Sequence, residues 1–320
     1  MTPRYEGILP TMKRYRRTIL ATCCVPWNAD FSFAEEIFRR QIRHLIAHGI
    51  RDLYIFGTAG EGYAVTESQF DEITRVFLDE TRGDDVQSMV GLISLSLPAI
   101  IERIERAKDM GARRFQLSLP SWGALNDAEV KTFFRETCGR FPECEFLHYN
   151  LMRVGRILTG EEYGRLSADH ANLVATKNST ADEARLRSLM DDAPQLQHFI
   201  TEAGFAKGAM MGECGFLVSV ASTNFARTHD YFRAGCERDS ATLNAMAEGV
   251  EGMIADLKAA VADNAHMDGA FDKMYCRVHD DAFPLRLLPP YSSVSESAFL
   301  RYVELLRKNH PSWLPNSRLA

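Results

Sequence analysis

The feature that most restricts how this chain can fold is a regular alternation of short apolar runs with helix-like segments. Eight runs rich in β-branched and aromatic residues read as strands, and helical periodicity separates them. The predicted strands are Thr18–Val25, Asp52–Gly57, Gln87–Ile93, Arg114–Leu119, Glu145–Asn150, Asn172–Lys177, Gln197–Thr201 and Gly215–Ala221. Their apolar pattern is typical of a sheet covered on both faces, so we predict an α/β fold, a (β/α)8 TIM barrel of about 235 residues.

The segments between the strands carry helix-start signals. In a capping box, a Ser, Thr or Asn side chain and a Glu or Gln three residues later each bond a free backbone amide. This spacing predicts starts at Ser32 with Glu35, Thr66 with Gln69, Asn126 with Glu129, Thr159 with Glu162 and Thr180 with Glu183, and Ser96 before Pro98 marks a sixth. A doubly wound open sheet is the rival fold, but the turn after the first strand, Cys24–Asn28, has no glycine for a dinucleotide.

The C-terminal quarter of the chain lacks the strand pattern. It contains three helical stretches, Ala241–Ala262, Met267–His279 and Ser295–Asn309, with a proline-rich connection at Pro284–Pro290. These residues are too few for a second independent core. We therefore predict a barrel domain of residues 1–238, with the barrel proper from about residue 18, and a helical extension of residues 239–320 packed on it.

Composition and charge narrow the class of partner. The 320 residues carry a formal net charge of -6, with Lys and Arg spread along the chain. Because there is no basic stripe or polybasic anchor, we expect no nucleic acid and no membrane partner, but a small molecule. The seven cysteines have no metal-type spacing, so we predict reduced thiols, no metal site and a cytoplasmic protein. The apolar run Ile19–Val25 is too short for a signal-peptide core, and no run is of membrane length.

Lys177 ends the sixth predicted strand, an otherwise uncharged stretch. Burying an ammonium there without a partner would cost several kcal/mol. Desolvation lowers the pKa of a lysine and makes its amine a nucleophile toward carbonyl carbon near neutral pH. Carbonyl chemistry is one interpretation, and a surface lysine just past a strand end is the other.

Two further predicted strands end in distinctive residues, and in a barrel the carboxyl ends of the strands hold the chemistry. Strand two ends in Gly-Thr-Ala-Gly-Glu-Gly at residues 57–62, whose glycines let backbone amides approach a carboxylate closely. Strand five ends in His148-Tyr149-Asn150, beside strand six, so the Tyr149 hydroxyl and the Lys177 amine should come within hydrogen-bond reach. A tight turn and a packed tyrosine are the alternative interpretations.

Together, in this order and at these separations, residues 57–61, Tyr149-Asn150 and the Lys177 strand resemble the dihydrodipicolinate synthase / N-acetylneuraminate lyase family. The resemblance covers about residues 19–224. It implies a barrel with extra C-terminal helices, a homotetramer or homodimer, no metal or organic cofactor, and a Schiff base between a lysine and a 2-oxo acid, usually pyruvate. It assigns the imine to Lys177, proton transfer to Tyr149, a link to that tyrosine to Thr58, and carboxylate binding to the amides around Thr58 and Ala59. Gly57, Gly60 and Val218 complete the candidate substrate contacts on the barrel.

The chain also departs from the family pattern. Pro120-Ser121-Trp122 stands where the synthases have two adjacent tyrosines, and Ala59 replaces a threonine. The family's carboxylate-binding arginine has no aligned equivalent; Arg153 or Arg156 either substitutes for it or is plain loop charge. These losses argue against a true dihydrodipicolinate synthase. Pro120 followed shortly by Trp122 resembles the pattern of the hydratase-aldolase branch of the family. In that interpretation the Trp122 indole would stack on an aromatic substrate; in the alternative interpretation it is a subunit contact.

The leading interpretation is a cofactor-independent class I aldolase or lyase that makes or breaks a C–C bond of pyruvate or another 2-oxo acid through Lys177. A 2-oxo sugar-acid dehydratase or an aromatic hydratase-aldolase would use the same imine. The non-enzyme alternative is a 2-oxo-acid-binding barrel with a degraded proton relay.

Overall fold

The strands of the molecule form a closed parallel barrel. The structure is a computed structural model that describes residues 14–83, 85–262, 265–315 and 318. Within these ranges the barrel strands, each bonded to the next, are β1 (Ile19–Thr22), β2 (Asp52–Ile55), β3 (Gln87–Gly91), β4 (Arg114–Leu117), β5 (Glu145–Asn150), β6 (Leu173–Asn178), β7 (Gln197–Thr201) and β8 (Gly215–Val218). The pairing of β1 with β8 closes the barrel and excludes the open sheet.

Several strands are shorter than the apolar runs that predicted them. The first run was expected to extend to Val25, but β1 ends at Thr22. Cys23, Cys24 and Val25 are fully buried all the same, in the loop that follows. An apolar composition indicates that a residue is buried, but not whether it belongs to a strand. The sequence therefore could not distinguish the end of β1 from the buried loop that follows it.

Helices cover the outside of the barrel. They are α1 (Glu35–Ala47), α2 (Glu67–Glu80), α3 (Leu97–Asp109), α4 (Asp127–Phe134), α5 (Gly160–Asp169), α6 (Glu183–Asp192), α7 (Glu202–Met211) and α8 (Phe225–Glu237). The predicted capping boxes of α2, α4 and α5 are confirmed, as is the Ser96 cap of α3.

Two predicted helix caps are wrong. Helix α1 starts after Ala34 without a side-chain cap, because the Ser32 hydroxyl is engaged with Asp30 in the preceding turn. Helix α6 is capped by Asp182, whose carboxylate accepts the backbone N–H of Arg185. Asp182, which directly precedes the first helical residue, therefore takes the place predicted for Thr180.

The C-terminal part is a helical extension packed on the barrel, as predicted. It contains α9 (Ser240–Val261), α10 (Asp268–His279) and α11 (Glu296–Asn309). Helix α9 packs on α7 and α8, and α11 packs on α9. The division at residues 238 and 239 stays a prediction, and the part of the first predicted domain before residue 14 lies outside the described residues.

Helix α10 lies over the carboxyl end of the barrel, beside the loop after β2. A side-chain carbon added at Gly269 would stand 3.0 Å from the carbonyl oxygen of Ala59. The ammonium of Lys273 forms a fully buried ion pair with Glu61 of the same loop. The extension is therefore placed where the sequence predicts chemistry.

None of the helices in the described ranges is long and apolar enough to cross a membrane. The cytoplasmic location stays a prediction.

Candidate active site

Lys177 is buried at the carboxyl end of β6, with its side chain 4% exposed. Its Nζ donates to the Tyr54 hydroxyl at 2.9 Å and to the Gln116 side-chain oxygen at 3.4 Å. The same atom lies 3.8 Å from the ring centroid of Tyr149 and 4.3 Å from that of Tyr54. Two aromatic faces, a phenol and an amide therefore surround the amine, and it is not a surface lysine.

The environment of Lys177 favours the neutral amine. Burial lowers its pKa to about 7, although the carboxylates of Asp268 and Asp272 act in the opposite direction. In the described part of the chain, no carboxylate lies within ion-pair distance of Nζ. Near neutral pH a substantial fraction of this lysine is therefore an uncharged nucleophile.

Tyr149 lies directly beside Lys177, because the two residues are register partners in β5 and β6. Neighbouring side chains of parallel strands point the same way, so the amine rests on the face of the ring. The expected hydrogen bond between the Tyr149 hydroxyl and the amine is not formed; Tyr54, from β2, is the phenol that the amine bonds.

The pKa of Tyr149 is raised to about 12, first by burial and then by Asp268. The hydroxyls of Thr58 and Ser179 lower it, so both lie close to the phenol. The Thr58 hydroxyl is itself buried and, among the described residues, has no hydrogen bond of standard geometry. It is free to bond a ligand or the phenol.

The glycines of the 57–62 loop are required by space. A side-chain carbon at Gly57 would stand 2.7 Å from the Tyr54 ring and 3.4 Å from the Lys177 Nζ. One at Gly60 would stand 2.7 Å from the backbone nitrogen of Phe56. Gly57 therefore leaves room for the amine, whereas Gly60 allows the tight turn.

A cavity of about 480 Å³ opens above Lys177. Six of the residues predicted from the sequence line it: Thr58, Ala59, Tyr149, Arg153, Lys177 and Val218. Gly57 and Gly60 do not line it, and neither do Trp122 and Arg156. The cavity thus unites the ends of β2, β5, β6 and β8, as the barrel predicts.

Trp122 and Arg156 are not brought to the cavity. The side chain of Trp122 is 88% exposed in the loop after β4. Arg156 forms ion pairs with Asp127 at 2.6 Å and with Glu162, at the starts of α4 and α5. Of the two predicted arginines, only Arg153 faces the cavity.

The sequence analysis missed two carboxylates on α10 that line the cavity. Asp268 forms an ion pair with Arg153 at 3.1 Å. Asp272 accepts a hydrogen bond from the Ser219 hydroxyl at 2.8 Å, and burial raises its pKa to about 7. Their spacing of four residues puts both on one helix face, where two like charges destabilise the helix. Such a pair therefore suggests a functional role. That spacing is the signal that could have revealed them.

Tyr54 and Gln116 were also missed, although both contact the amine. Each is a polar side chain in the interior of a predicted strand. Gln116 is fully buried and Tyr54 almost so, and such groups in a barrel interior need partners. A polar side chain between two buried apolar neighbours of a strand was the available signal.

Fold and site together define a class: a (β/α)8 barrel with a buried lysine of lowered pKa at the carboxyl end of its sixth strand. A sequence profile of the dihydrodipicolinate synthetase family matches residues 16–262, and the chain belongs to this family. The predicted resemblance is confirmed.

Known relatives agree with this assignment. A 4-hydroxy-tetrahydrodipicolinate synthase of Thermus thermophilus is 28% identical over 160 residues, which cover 50% of this chain and 53% of the relative. The matched region thus spans about half the length of that curated relative. The low identity agrees with the expectation that this chain is not a true dihydrodipicolinate synthase.

Two solved structures share the fold. A prophage protein of the dihydrodipicolinic acid synthase family from E. coli, in complex with pyruvate, has a TM-score of 0.81 at 19% identity, covering 91% of this chain and 98% of its own. The N-acetylneuraminate lyase of Proteus mirabilis has a TM-score of 0.81 at 14% identity, covering 92% and 99%. Members of the dihydrodipicolinate synthetase family are lyases or aldolases that act on small molecules.

Proposed function

We propose that this chain is a class I aldolase or lyase that joins pyruvate or another 2-oxo acid to an aldehyde, or cleaves the product, through an imine on Lys177. The observation that carries the proposal is the buried amine of lowered pKa in a cavity at the end of β6. No metal or organic cofactor takes part in the proposed reaction.

The imine acts as an electron sink. The neutral amine of Lys177 attacks the 2-oxo carbon, and uptake of one proton with loss of water gives a protonated imine. This group withdraws electrons, so a proton leaves carbon 3 and an enamine forms. Tyr149, whose ring contacts the amine, carries that proton.

The carboxylate of the 2-oxo acid is assigned to the loop after β2. Thr58 and Ala59 line the cavity beside the lysine, and the Thr58 hydroxyl forms no hydrogen bond of standard geometry among the described residues. Backbone amides in a tight loop suit a carboxylate. Arg153 is a less direct candidate, because Asp268 already pairs with it.

Borohydride trapping tests the proposal. Incubation with pyruvate and then borohydride should add the mass of the reduced adduct to the peptide that contains Lys177. Lys273 is the matched internal control, since it is equally buried but is paired with Glu61. Lys177→Gln should abolish the label.

Two outcomes would contradict the proposal. A label on a different lysine would move the imine elsewhere. Absence of any adduct across a panel of 2-oxo acids would favour a barrel that only binds such acids.

A further inference from the structure

Asp272 is a buried carboxyl that faces the same cavity as Lys177 but has little to stabilise a charge. Its side chain is 7% exposed. Its side-chain hydrogen bond comes from the Ser219 hydroxyl, and within the described residues no lysine, arginine or histidine lies within ion-pair distance. Asp268, one helical turn earlier, has Arg153 as a partner. Of the two carboxyls, Asp272 is therefore the one left to exchange a proton.

The charged groups around Asp272 come from several elements. Burial raises the pKa of Asp272 most, and the hydrogen bond from Ser219 lowers it. Asp268 on α10 and Glu202 at the start of α7 raise the pKa further, whereas Lys177 on β6 lowers it. The pKa of Glu202 is itself raised by burial, and its carboxyl accepts the backbone N–H groups of Ser219 and Ala221. Asp272 thus has access to both the acid and the carboxylate form near neutral pH.

Asp272 also lines a second cavity of about 480 Å³ between α1, α8 and α10. Ser219 and Val218 separate the two cavities with it, since they line both. The second cavity reaches the surface at Arg43, whose side chain is largely exposed. A carboxyl in this wall can react with a substrate on one side and exchange protons with water on the other.

We propose that Asp272 is a further catalytic residue, the acid that protonates the aldehyde oxygen when the carbon–carbon bond forms. In the cleavage direction its carboxylate removes the hydroxyl proton. This inference rests on the proposed function and assigns the proton that Tyr149 does not carry.

The step is balanced as follows. The enamine carbon 3 forms a bond to the aldehyde carbon, and the nitrogen lone pair restores the protonated imine. The carbonyl π electrons move to the aldehyde oxygen, which takes the proton of the Asp272 carboxylic acid. The carboxylate that remains keeps the Ser219 hydrogen bond and regains a proton from water. Hydrolysis of the imine then frees the product and Lys177.

The charges of the cavity indicate the class of aldehyde. Arg153 and Lys177 are the cations among its described lining residues; Lys177 is used by the imine, and Arg153 is neutralised by Asp268. Among the described residues of the cavity, no free cation is left for a second carboxylate. The aldehyde is therefore uncharged.

The test separates the two half-reactions. Imine formation and exchange of pyruvate's carbon 3 protons for deuterium need pyruvate alone, and NMR follows the exchange. Condensation is measured with two uncharged probes, glycolaldehyde and benzaldehyde, and with two carboxylate probes, glyoxylate and aspartate semialdehyde. Asp272→Asn keeps the shape and the acceptor for Ser219 but cannot donate as an acid. Asp281→Asn is the control, because Asp281 is an exposed partner of Arg318 outside both cavities.

Asp272→Asn should leave imine trapping and deuterium exchange within about threefold of wild type and slow condensation roughly 10²–10⁴-fold, the usual worth of an acid–base group. Wild type and Asp281→Asn should condense an uncharged probe faster than a carboxylate probe. If Asp272→Asn does not fold, Asp272→Leu, which removes the buried polar group, is measured in the same way.

Three results would overturn the inference. The first is an unchanged condensation rate in Asp272→Asn. The second is an equal fall of deuterium exchange and condensation in that variant, as expected for a structural role. The third is a wild type that exchanges the carbon 3 protons of pyruvate but condenses neither uncharged aldehyde. Absence of both trapping and exchange in wild type would instead refute the proposed function on which the inference rests.

Discussion

At the scale of single residues, the site is governed by the removal of Lys177 from water. The free energy that would hydrate its ammonium is lost on folding, and no carboxylate in the described part of the chain replaces it in direct contact. The pKa therefore falls from an ordinary 10.5 to about 7. The burial that keeps this amine neutral is also a cost to the stability of the folded state.

This cost predicts a pH-dependent effect of Lys177→Met. Below pH 7 both folded and unfolded chains hold the proton, and the folded state bears the full cost of a buried charge. Between pH 7 and 10.5 only the unfolded chain holds it, so stability rises with pH. The variant should raise the free energy of unfolding by roughly 1–4 kcal/mol at pH 6, and by less at pH 9. Urea denaturation at both pH values measures this.

Lys207→Met provides the control for that experiment, since Lys207 is a half-exposed lysine in a surface ion pair. It should change stability little at either pH. An equal gain at pH 6 and pH 9 for Lys177→Met would show that the buried charge is not the cause.

Tyr149→Phe should separate imine formation from proton transfer. The ring that contacts the amine is kept, and only the hydroxyl near Thr58 and Ser179 is lost. Borohydride trapping of pyruvate should persist, while deuterium exchange at carbon 3 slows roughly 10²–10⁴-fold. Tyr54→Phe, which removes the hydroxyl bonded to the amine, is the comparison. Normal exchange in Tyr149→Phe would remove this phenol from the mechanism.

How far the sequence predicts this site depends on how each residue reaches it. Lys177 and Tyr149 were predicted to meet because both lie at the ends of predicted strands, which a parallel barrel gathers, whereas the role of Thr58 was implied by the family resemblance. Tyr54 contacts Lys177 across 123 positions of sequence, through the barrel interior. Asp272 comes from outside the barrel repeat. The positions of strand ends reveal neither the Tyr54 contact nor the place of Asp272 in the cavity. Both depend on which side chains point inward from elements that are distant in sequence.

At the scale of elements, α10 is the part of the extension that completes the cavity. The buried pair of Lys273 and Glu61 fixes it to the loop after β2. Glu61 also accepts the Trp27 indole N–H at 2.9 Å and the Leu288 backbone N–H at 2.7 Å. One carboxylate of the conspicuous 57–62 segment thus ties the first loop, the second loop and the extension together.

Breaking this pair should be costly. Glu61→Gln or Lys273→Met alone should lower the free energy of unfolding by about 3–5 kcal/mol, since one buried charge loses its partner. The double variant should cost less than the sum of the two, because no unpaired charge remains. Urea denaturation of all four proteins gives the coupling. Additive losses would mean that the two side chains stabilise the fold independently.

The number, order and type of the elements were predictable, because a strand and a helix differ in the period of their apolar residues. Element ends were less so. The N-cap of α6 was predicted at Thr180 but is Asp182. Both residue types cap helices well, so composition alone does not distinguish the two positions. The place of α10 over the barrel could not be predicted, because it depends on the buried pair of Glu61 and Lys273, which are 212 positions apart.

At the scale of the whole molecule, the described surface exposes several large apolar side chains, with Trp122 the most exposed. A fully hydrated indole is unusual on a monomer and typical of an interface. We expect a homodimer or homotetramer in which Trp122 is a subunit contact.

Sedimentation of the wild type at micromolar concentration should show the oligomer, and Trp122→Glu should shift it toward smaller species. Lys308→Glu, at an exposed charged position on α11, is the control and should not. A monomeric wild type would contradict the expectation.

The family match ends at residue 262, before α10 begins at Asp268. On the proposed function, the imine chemistry belongs to the matched barrel, and the carboxylates that meet the second substrate belong to α10, beyond the matched residues. Lys273 fixes this helix to the barrel through Glu61. A protein engineer could accordingly retarget the site to a new aldehyde by changing side chains on the cavity face of α10, with Lys273 and Lys177 left untouched.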